Sequence, residues 1–108
     1  MPNGNDRNWV RVSAALEGFF MRYGHWPRRV RLHLYTLKDL EHLFPPDSWR
    51  RLTGTLQFIR DDDAQIDAED DDGNTYSYGA EGFPPERPEP GAEQWLGVAP
   101  DAPGAYDN

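Results

Sequence analysis

Between Trp9 and Tyr23, apolar side chains recur at three- and four-residue steps along the chain. This spacing is typical of an amphipathic α-helix, because residues three and four apart lie on the same helical face. Gly24 suits the left-handed residue after a helix end, and Pro27 prevents the helix from resuming. We therefore predict an N-terminal helix with an aromatic stripe along one face, formed by Trp9, Val12, Leu16, Phe19, Phe20 and Tyr23.

Alternation of polar and apolar residues predicts the strands. Residues 29–34, Arg-Val-Arg-Leu-His-Leu, alternate with a period of two, which is typical of a strand with one buried face. Residues 37–44 repeat leucine at helical spacing and predict a short second helix, and residues 56–60 predict a second strand. Residues 65–70 and 75–78 predict a hairpin. These elements favour a small single α+β domain, in which the N-terminal amphipathic helix packs on a mainly antiparallel sheet of three or four strands.

The dipeptide Asp72-Gly73 predicts the turn of this hairpin, because both central residues of a type I′ turn need a positive φ. A two-residue turn at this place would pair Glu69 with Tyr76 and Asp67 with Tyr78. The tyrosines would then share the outer face of the hairpin with the acidic residues. The inner face, which would pack on the first helix, would consist of Ile66, Ala68 and Ser77.

The composition changes after residue 80, and six of the ten prolines lie beyond it. We therefore predict a globular domain over residues 1–80, which includes the acidic hairpin, and a Pro-rich acidic tail over residues 81–108 that is extended or disordered. The tail contains a short motif with a tryptophan, residues 93–98. Two alternatives are open for this motif: it docks on a partner protein, or Trp95 and Phe83 fold back on the body of the domain.

Charge divides the chain into two unequal parts. Residues 1–60 contain ten Lys or Arg and five Asp or Glu, a net charge of +5, whereas residues 61–108 contain one Arg and fourteen Asp or Glu, a net charge of −13. Together they give the formal −8 of the chain. Such asymmetry indicates either a charged partner or docking of one half on the other. The acidic total argues against nucleic acid or an anionic membrane as a direct ligand.

The residues that several kinds of chemistry require are missing. The chain has no cysteine, which excludes disulfides and thiolate metal sites. An EF-hand with its glycine at Gly73 would need acidic ligands where Ala68 and Gly79 stand, and the three histidines lack metal-ligand spacing. A nucleophile elbow, a Gly-rich phosphate loop and an HExxH motif are also missing. We therefore predict a non-enzymatic protein without catalytic residues, metal or cofactor.

The sequence also bears on localisation. The first eight residues are polar and do not resemble a secretory signal. Apolar runs in the chain are much shorter than the roughly 18 residues that a membrane span needs. We therefore expect a soluble cytoplasmic protein with no membrane partner.

An acidic cluster coincides with the predicted hairpin and carries the leading hypothesis. Eight carboxylates fall within twelve positions: Asp61, Asp62, Asp63, Asp67, Glu69, Asp70, Asp71 and Asp72. Four interpretations are open: a loose Mg²⁺ or Ca²⁺ site, a mimic of nucleic-acid phosphates, a solvated edge that prevents strand pairing, and neutralisation by the chain's own arginines. We favour an adaptor or inhibitor whose acidic face binds a basic protein surface, with nucleic-acid mimicry as a special case. Its apolar anchors would be Tyr76, Tyr78, Trp95 and Leu96.

A group of arginines supports an alternative hypothesis. In it, the chain binds nucleic acid or another anionic ligand, and the acidic C-terminal half acts as an internal competitor. The residues that would bind the anion are Arg28, Arg29, Arg31, Arg50 and Arg51. The same arginines would stabilise the sheet if an acidic strand lay beside them. Pairing within one chain and pairing across a dimer are both compatible with this charge pattern.

Overall fold

The computed structural model describes residues 4–78 and 91–98. The first helix, the strand after it, the short second helix and the hairpin form where the hydrophobic patterns predict them, and the α+β fold class is confirmed. Residues 79–90 and 99–108, which include most of the predicted tail over residues 81–108, lie outside the described residues. The elements in chain order are α1 (Gly4–Tyr23), β1 (Arg29–Leu32), α2 (Leu34–Leu43), α3 (Pro46–Thr55), β2 (Gln57–Arg60), β3 (Asp67–Glu69), β4 (Thr75–Ser77) and α4 (Ala92–Leu96).

The four strands form one mixed sheet in the order β2-β1-β3-β4. β3 runs antiparallel to both β1 and β4, whereas β1 and β2 are parallel. The parallel pair arises because α2 and α3 lie between these two strands in the chain and return it to the same end of the sheet. The prediction of a mainly antiparallel sheet under an N-terminal helix is therefore confirmed, with one parallel pair.

The core forms between α1 and the inner face of the sheet. Trp9, Val12, Leu16 and Phe19 of the predicted stripe are buried, whereas Phe20 and Tyr23 are only partly buried at its rim. On β1, Val30 and Leu32 are fully buried, so Arg29 and Arg31 project from the opposite face, as alternation requires. β1 is two residues shorter than predicted, because the His33 ring accepts a hydrogen bond from the Tyr35 amide and caps α2.

The register of the hairpin differs by one residue from the prediction. The turn has three residues, 71–73, and is closed by a hydrogen bond of 3.2 Å from the Asp70 amide to the Asn74 carbonyl. Gly73, the last residue of the turn, has φ 93°, as a three-residue loop of this kind requires. The additional turn residue moves the facing strand by one position, which reverses the face of every side chain on β4. The observed pairs are Glu69 with Thr75, Ala68 with Tyr76, and Asp67 with Ser77.

This register places Tyr76 in the core, against α1. A Cβ on Gly18 would overlap the Tyr76 ring, so the glycine allows the ring to approach the helix. Ile66 and Ala68 are buried beside it, as predicted. Ser77, predicted for the inner face, lies on the outer face, where its hydroxyl donates a hydrogen bond to the neighbouring strand.

The motif with the tryptophan forms α4, which packs against α1 and α3. Ala92, Leu96 and Val98 are buried in the main core. The Trp95 ring stacks on Trp26, with 4.6 Å between ring centroids and 5° between planes. Of the two alternatives for this motif, the structure shows the one in which it folds back on the domain, although Phe83 lies outside the described residues.

Candidate functional site

The outer face of the sheet carries alternating rows of basic and acidic side chains. In the register, Arg29 stands opposite Glu69 and Arg31 opposite Asp67, because β1 and β3 are neighbours. Glu69 joins both arginines: its carboxylate lies 3.5 Å from Arg29 Nη1 and 3.1 Å from Arg31 Nε. Opposite charges on facing strands stabilise a sheet by about 0.2–1 kcal/mol for each pair. We call this surface, with the loops at both of its ends, the charged face; it comprises the eight acidic residues of the cluster, of which Asp70 is buried, together with Arg28, Arg29, Arg31 and Arg60.

At one end of the charged face, arginines hold the hairpin turn. Arg29 donates to the Asp70 carbonyl at 3.0 Å and to the Asp71 carboxylate, and Arg28 Nε lies 3.9 Å from the same carboxylate. The hydrogen bond to Asp71 raises the pKa of Arg29 above its ordinary value, with smaller contributions from the charges of Asp71 and Glu69. The arginines of β1 are therefore already bound by acidic residues of the same chain.

Asp70 is the buried centre of this turn. Its carboxylate accepts hydrogen bonds from the Asp72 amide, the Asn74 amide and the Asn74 side chain, each at 2.9 Å. His25 Nε2 lies 2.7 Å from the second carboxylate oxygen and connects the turn to the loop after α1. Burial acts to raise the pKa of Asp70, but the hydrogen bonds from His25, Asn74 and Asp72 together outweigh it and hold the pKa well below 3.8. Asp70 is thus an ionised group that organises the backbone of the turn.

At the other end of the charged face, Asp62 gathers three groups. Its carboxylate lies 3.0 Å from Arg60 Nη2 and 3.9 Å from His33 Nε2, and it accepts the Leu34 amide at 3.2 Å. The hydrogen bond from Arg60, followed by that from the Leu34 amide, lowers the pKa of Asp62 below 3.8. These contacts join the loop between β2 and β3 to the start of α2. Acidic and basic halves of the sequence therefore pair within one chain at both ends of the sheet.

The charged face nevertheless keeps an excess of negative charge. Its eight carboxylates face four arginines, which leaves four negative charges if the histidines are neutral. Within the described residues, the side chains of Asp63 and Asp72 are exposed and have no ion-pair partner, and Asp67 is bound only by the Ser77 hydroxyl at 2.5 Å. These three residues are the acidic groups that the fold itself leaves available.

The five arginines of the alternative hypothesis do not form one patch. Arg28, Arg29 and Arg31 belong to the charged face, whereas Arg50 and Arg51 lie on α3. Arg50 pairs with Asp47 one turn earlier on the same helix, and Arg51 donates to the Gly97 carbonyl beyond α4 at 2.9 Å. The structure thus separates the group into a sheet part and a helix part, which sequence proximity could not distinguish.

The four predicted apolar anchors also differ in position. Tyr76 and Leu96 are 6% and 3% exposed and belong to the core, so in this fold they offer no surface to a partner. Tyr78 and Trp95 are partly buried and pack at the rim of the core. The misplacement of Tyr76 follows from the hairpin register, and that of Leu96 from the docking of α4. Two anchor candidates at the surface thus remain.

The pair of His25 and buried Asp70 is the arrangement in this fold nearest to catalytic chemistry. A carboxylate that orients a half-exposed histidine is one part of a general-base site, but such a site also needs a nucleophile or substrate pocket beside the imidazole. Within residues 4–78 and 91–98, the His25 ring contacts the Asp70 carboxylate and the edge-on ring of Phe19. A polar cleft of about 210 Å³ opens nearby, but His25 does not line it; its walls are Arg28, Arg29, Thr53, Gly54, Thr55, Gln57 and Asp71.

The sequence analysis did not predict a row of polar contacts between α1 and α4. Trp9, Ser13 and Glu17 recur at intervals of four and therefore share one helical face, which lies toward α4. Glu17 is buried and accepts a hydrogen bond of 2.9 Å from the Ala92 amide, and Trp9 Nε1 donates to Glu93 at 2.5 Å. A signal was present, since a glutamate in an otherwise apolar and small-residue helix face needs a partner.

In the described ranges, 4–78 and 91–98, acidic residues and histidines form no group of three or more that suits a metal ion. In the same ranges, the helices are too short or too polar to cross a membrane. Comparison of the chain with protein-family models, curated proteins and solved structures found no match. The fold itself is that of a small α+β domain, and the outer face of its sheet carries arginines paired with a larger number of acidic residues.

Proposed function

We propose that this protein is a non-enzymatic interaction module, an adaptor or inhibitor, whose charged face binds a basic surface of another protein. The observation that carries the proposal is the excess of carboxylates on that face after internal pairing. Asp63 and Asp72 stand at opposite ends of it without ion-pair partners among the described residues. A surface of one sign attracts partners of the other sign and speeds their encounter.

Internal pairing also pre-orients the surface. Glu69, Asp70 and Asp71 are held by arginines, a histidine and backbone amides, so their positions are set before a partner arrives. Groups that are already ordered lose less conformational entropy on binding. The proposal therefore divides the acidic cluster: the paired acids build the surface, and the unpaired Asp63, Asp67 and Asp72 contact the partner.

The experiment uses this division. The full chain is immobilised as bait at low salt, bound proteins are identified by mass spectrometry, and the purified candidate is titrated against the bait. Asp63→Lys/Asp72→Lys reverses two unpaired acids of the charged face, and Glu41→Lys/Asp47→Lys makes the same change in net charge on α2 and α3. We expect the first variant to lose the partner and the second to retain it, with an affinity that falls as salt screens exposed charges.

Two outcomes would refute the proposal. One is a partner that binds both double variants equally and is indifferent to salt. The other is the recovery of no specific protein at low salt, in which case the unpaired acids would be solvated surface.

One observation favours the alternative function, the binding of nucleic acid or another anionic ligand. Arg28, Arg29 and Arg31 are bound by acidic residues of the same chain, as an internally competed anion-binding site requires. The competing acids lie in the hairpin, so the informative variant is Glu69→Gln/Asp71→Asn. If this variant binds duplex DNA at low salt while the unmodified chain does not, the alternative is correct. Failure of both to bind removes it.

A further inference from the structure

The groove between α1 and α3 is built to hold residues 91–98. Ala92, Leu96 and Val98 fill its apolar floor. Polar contacts fix the same segment along its length, from the Ala92 amide on Glu17 to the Gly97 carbonyl on Arg51. The groove therefore recognises both the apolar side chains and the backbone of this segment.

This segment would not form a stable helix by itself. α4 has five residues, and helices shorter than roughly 12–15 residues are marginal in water when isolated. Its order therefore depends on the groove, through contacts of the kind that a bound peptide makes. A short amphipathic helix in a hydrophobic groove is a recurring mode of peptide recognition.

A linker joins the hairpin to residues 91–98. Twelve residues, 79–90, separate Tyr78 from Gly91. A stretch of this length can span at most about 40 Å. The longest dimension of the molecule is 37 Å. The chain is thus long enough for residues 91–98 to enter the groove of an adjacent molecule.

We propose that this groove is an interface for a second copy of the chain, in which two molecules exchange residues 91–98. A second copy carries the identical segment, so every contact of α4 is retained in the exchanged form. The choice between the two forms then depends on concentration, because the twelve-residue linker holds its own segment at an effective concentration in the millimolar range. The monomer dominates in dilute solution, and the exchanged dimer forms when a molecule cannot use its own segment or its own groove.

The test uses two full-length variants with complementary defects. Leu96→Asp places a carboxylate in the core and makes the segment incompetent, while leaving the groove intact. Ser13→Arg blocks the groove, because Ser13 lies between Trp9 and Glu17 on the face toward α4, while leaving the segment intact. Ser13→Ala is the matched control, because its groove stays occupied by its own segment.

Circular dichroism first shows that each variant keeps a cooperative unfolding transition. Native mass spectrometry and light scattering then follow equimolar mixtures. We expect a one-to-one heterodimer of the Ser13→Arg and Leu96→Asp chains, and separate monomers when Ser13→Ala replaces Ser13→Arg. Two folded variants that remain monomers up to about 1 mM would overturn the proposal.

If either variant fails to fold, a second measurement tests whether two molecules exchange residues 91–98. The unmodified chain is refolded from denaturant at about 1 mM, which is comparable with the effective concentration set by the linker, and is then diluted before size analysis. We expect a dimer fraction that rises with the refolding concentration. A chain that stays monomeric at every refolding concentration would overturn the proposal without the variants.

Discussion

Substitution of Leu96 by alanine measures how strongly the C-terminal helix is attached. Leu96 is 3% exposed, and truncation of a core leucine costs about 2–5 kcal/mol, depending on how far the site collapses. α4 has five residues and can shift into the vacated space, so we expect a loss in unfolding free energy of about 2–3 kcal/mol. For a domain of this size, that corresponds to a fall in Tm of roughly 10–20 °C.

The assay is urea unfolding followed by circular dichroism, with Leu52→Ala as the matched control. Leu52 lies on α3 and is fully buried, but it belongs to a helix that cannot leave the body. Its truncation should therefore cost more, about 3–5 kcal/mol. If Leu96→Ala releases α4 in the native state, its urea dependence should also become shallower, because less surface remains to be exposed. A change below about 0.5 kcal/mol with an unaltered slope would refute the docking of α4.

Three further predictions concern α1 and the hairpin turn. Gly18→Ala should destabilise the domain by about 1–3 kcal/mol, although alanine has the better helix propensity, because the new methyl group overlaps the Tyr76 ring. Gly54→Ala on α3 is the control: its methyl group meets no neighbour, so it should stabilise the domain by up to about 1 kcal/mol. Ser13→Ala should raise the unfolding free energy by about 1 kcal/mol, since the buried Ser13 hydroxyl has no hydrogen-bond partner among the described residues. Asp70→Asn should lower Tm near neutral pH, and this difference from the unmodified chain should shrink as the pH falls below about 3.8.

The sign of the last prediction follows from the lowered pKa. The folded state favours the Asp70 carboxylate, so its contribution is complete above the ordinary pKa of 3.8 and is lost as the pH falls through the lower folded value. Thermal unfolding from about pH 7 to about pH 2 checks it, and a Tm difference that grows toward acid would contradict it. For the Gly18→Ala and Ser13→Ala predictions, the measurement is the free energy of unfolding in denaturant. A stable Gly18→Ala variant would show that the Tyr76 ring is free to move, and a weakened Ser13→Ala variant would indicate an acceptor for its hydroxyl.

The elements of this fold could be predicted because their signals are local. The aromatic stripe from Trp9 to Phe19 and the alternation that buries Val30 and Leu32 depend only on helical and strand periods, and both are confirmed. The alternation also placed Arg29 and Arg31 on the opposite face of the sheet. Local periodicity, however, gives no information about which elements are neighbours.

The candidate site depends on contacts between distant residues, which local sequence patterns do not predict. A single additional turn residue moved Tyr76 from a predicted surface anchor to the core, because strand faces alternate and a shift of one position inverts them. The pairing of His25 with Asp70 joins positions 45 residues apart, and no sequence spacing indicates it. Likewise, the contact of Glu17 with the Ala92 amide becomes visible only when α4 is in place.

The sequence by itself therefore determined α1, β1 and α2 with their apolar faces, the presence of the hairpin, the α+β class and the division of charge between the two halves. Only the tertiary structure decided that β1 lies between β2 and β3, which brings Arg29 and Arg31 against Glu69. It also decided that α4 closes the groove of α1 and α3. The physical reason is that periodicity and propensity act between neighbours in the chain, whereas ion pairs and packing depend on distances in space that the order of strands and the length of turns establish.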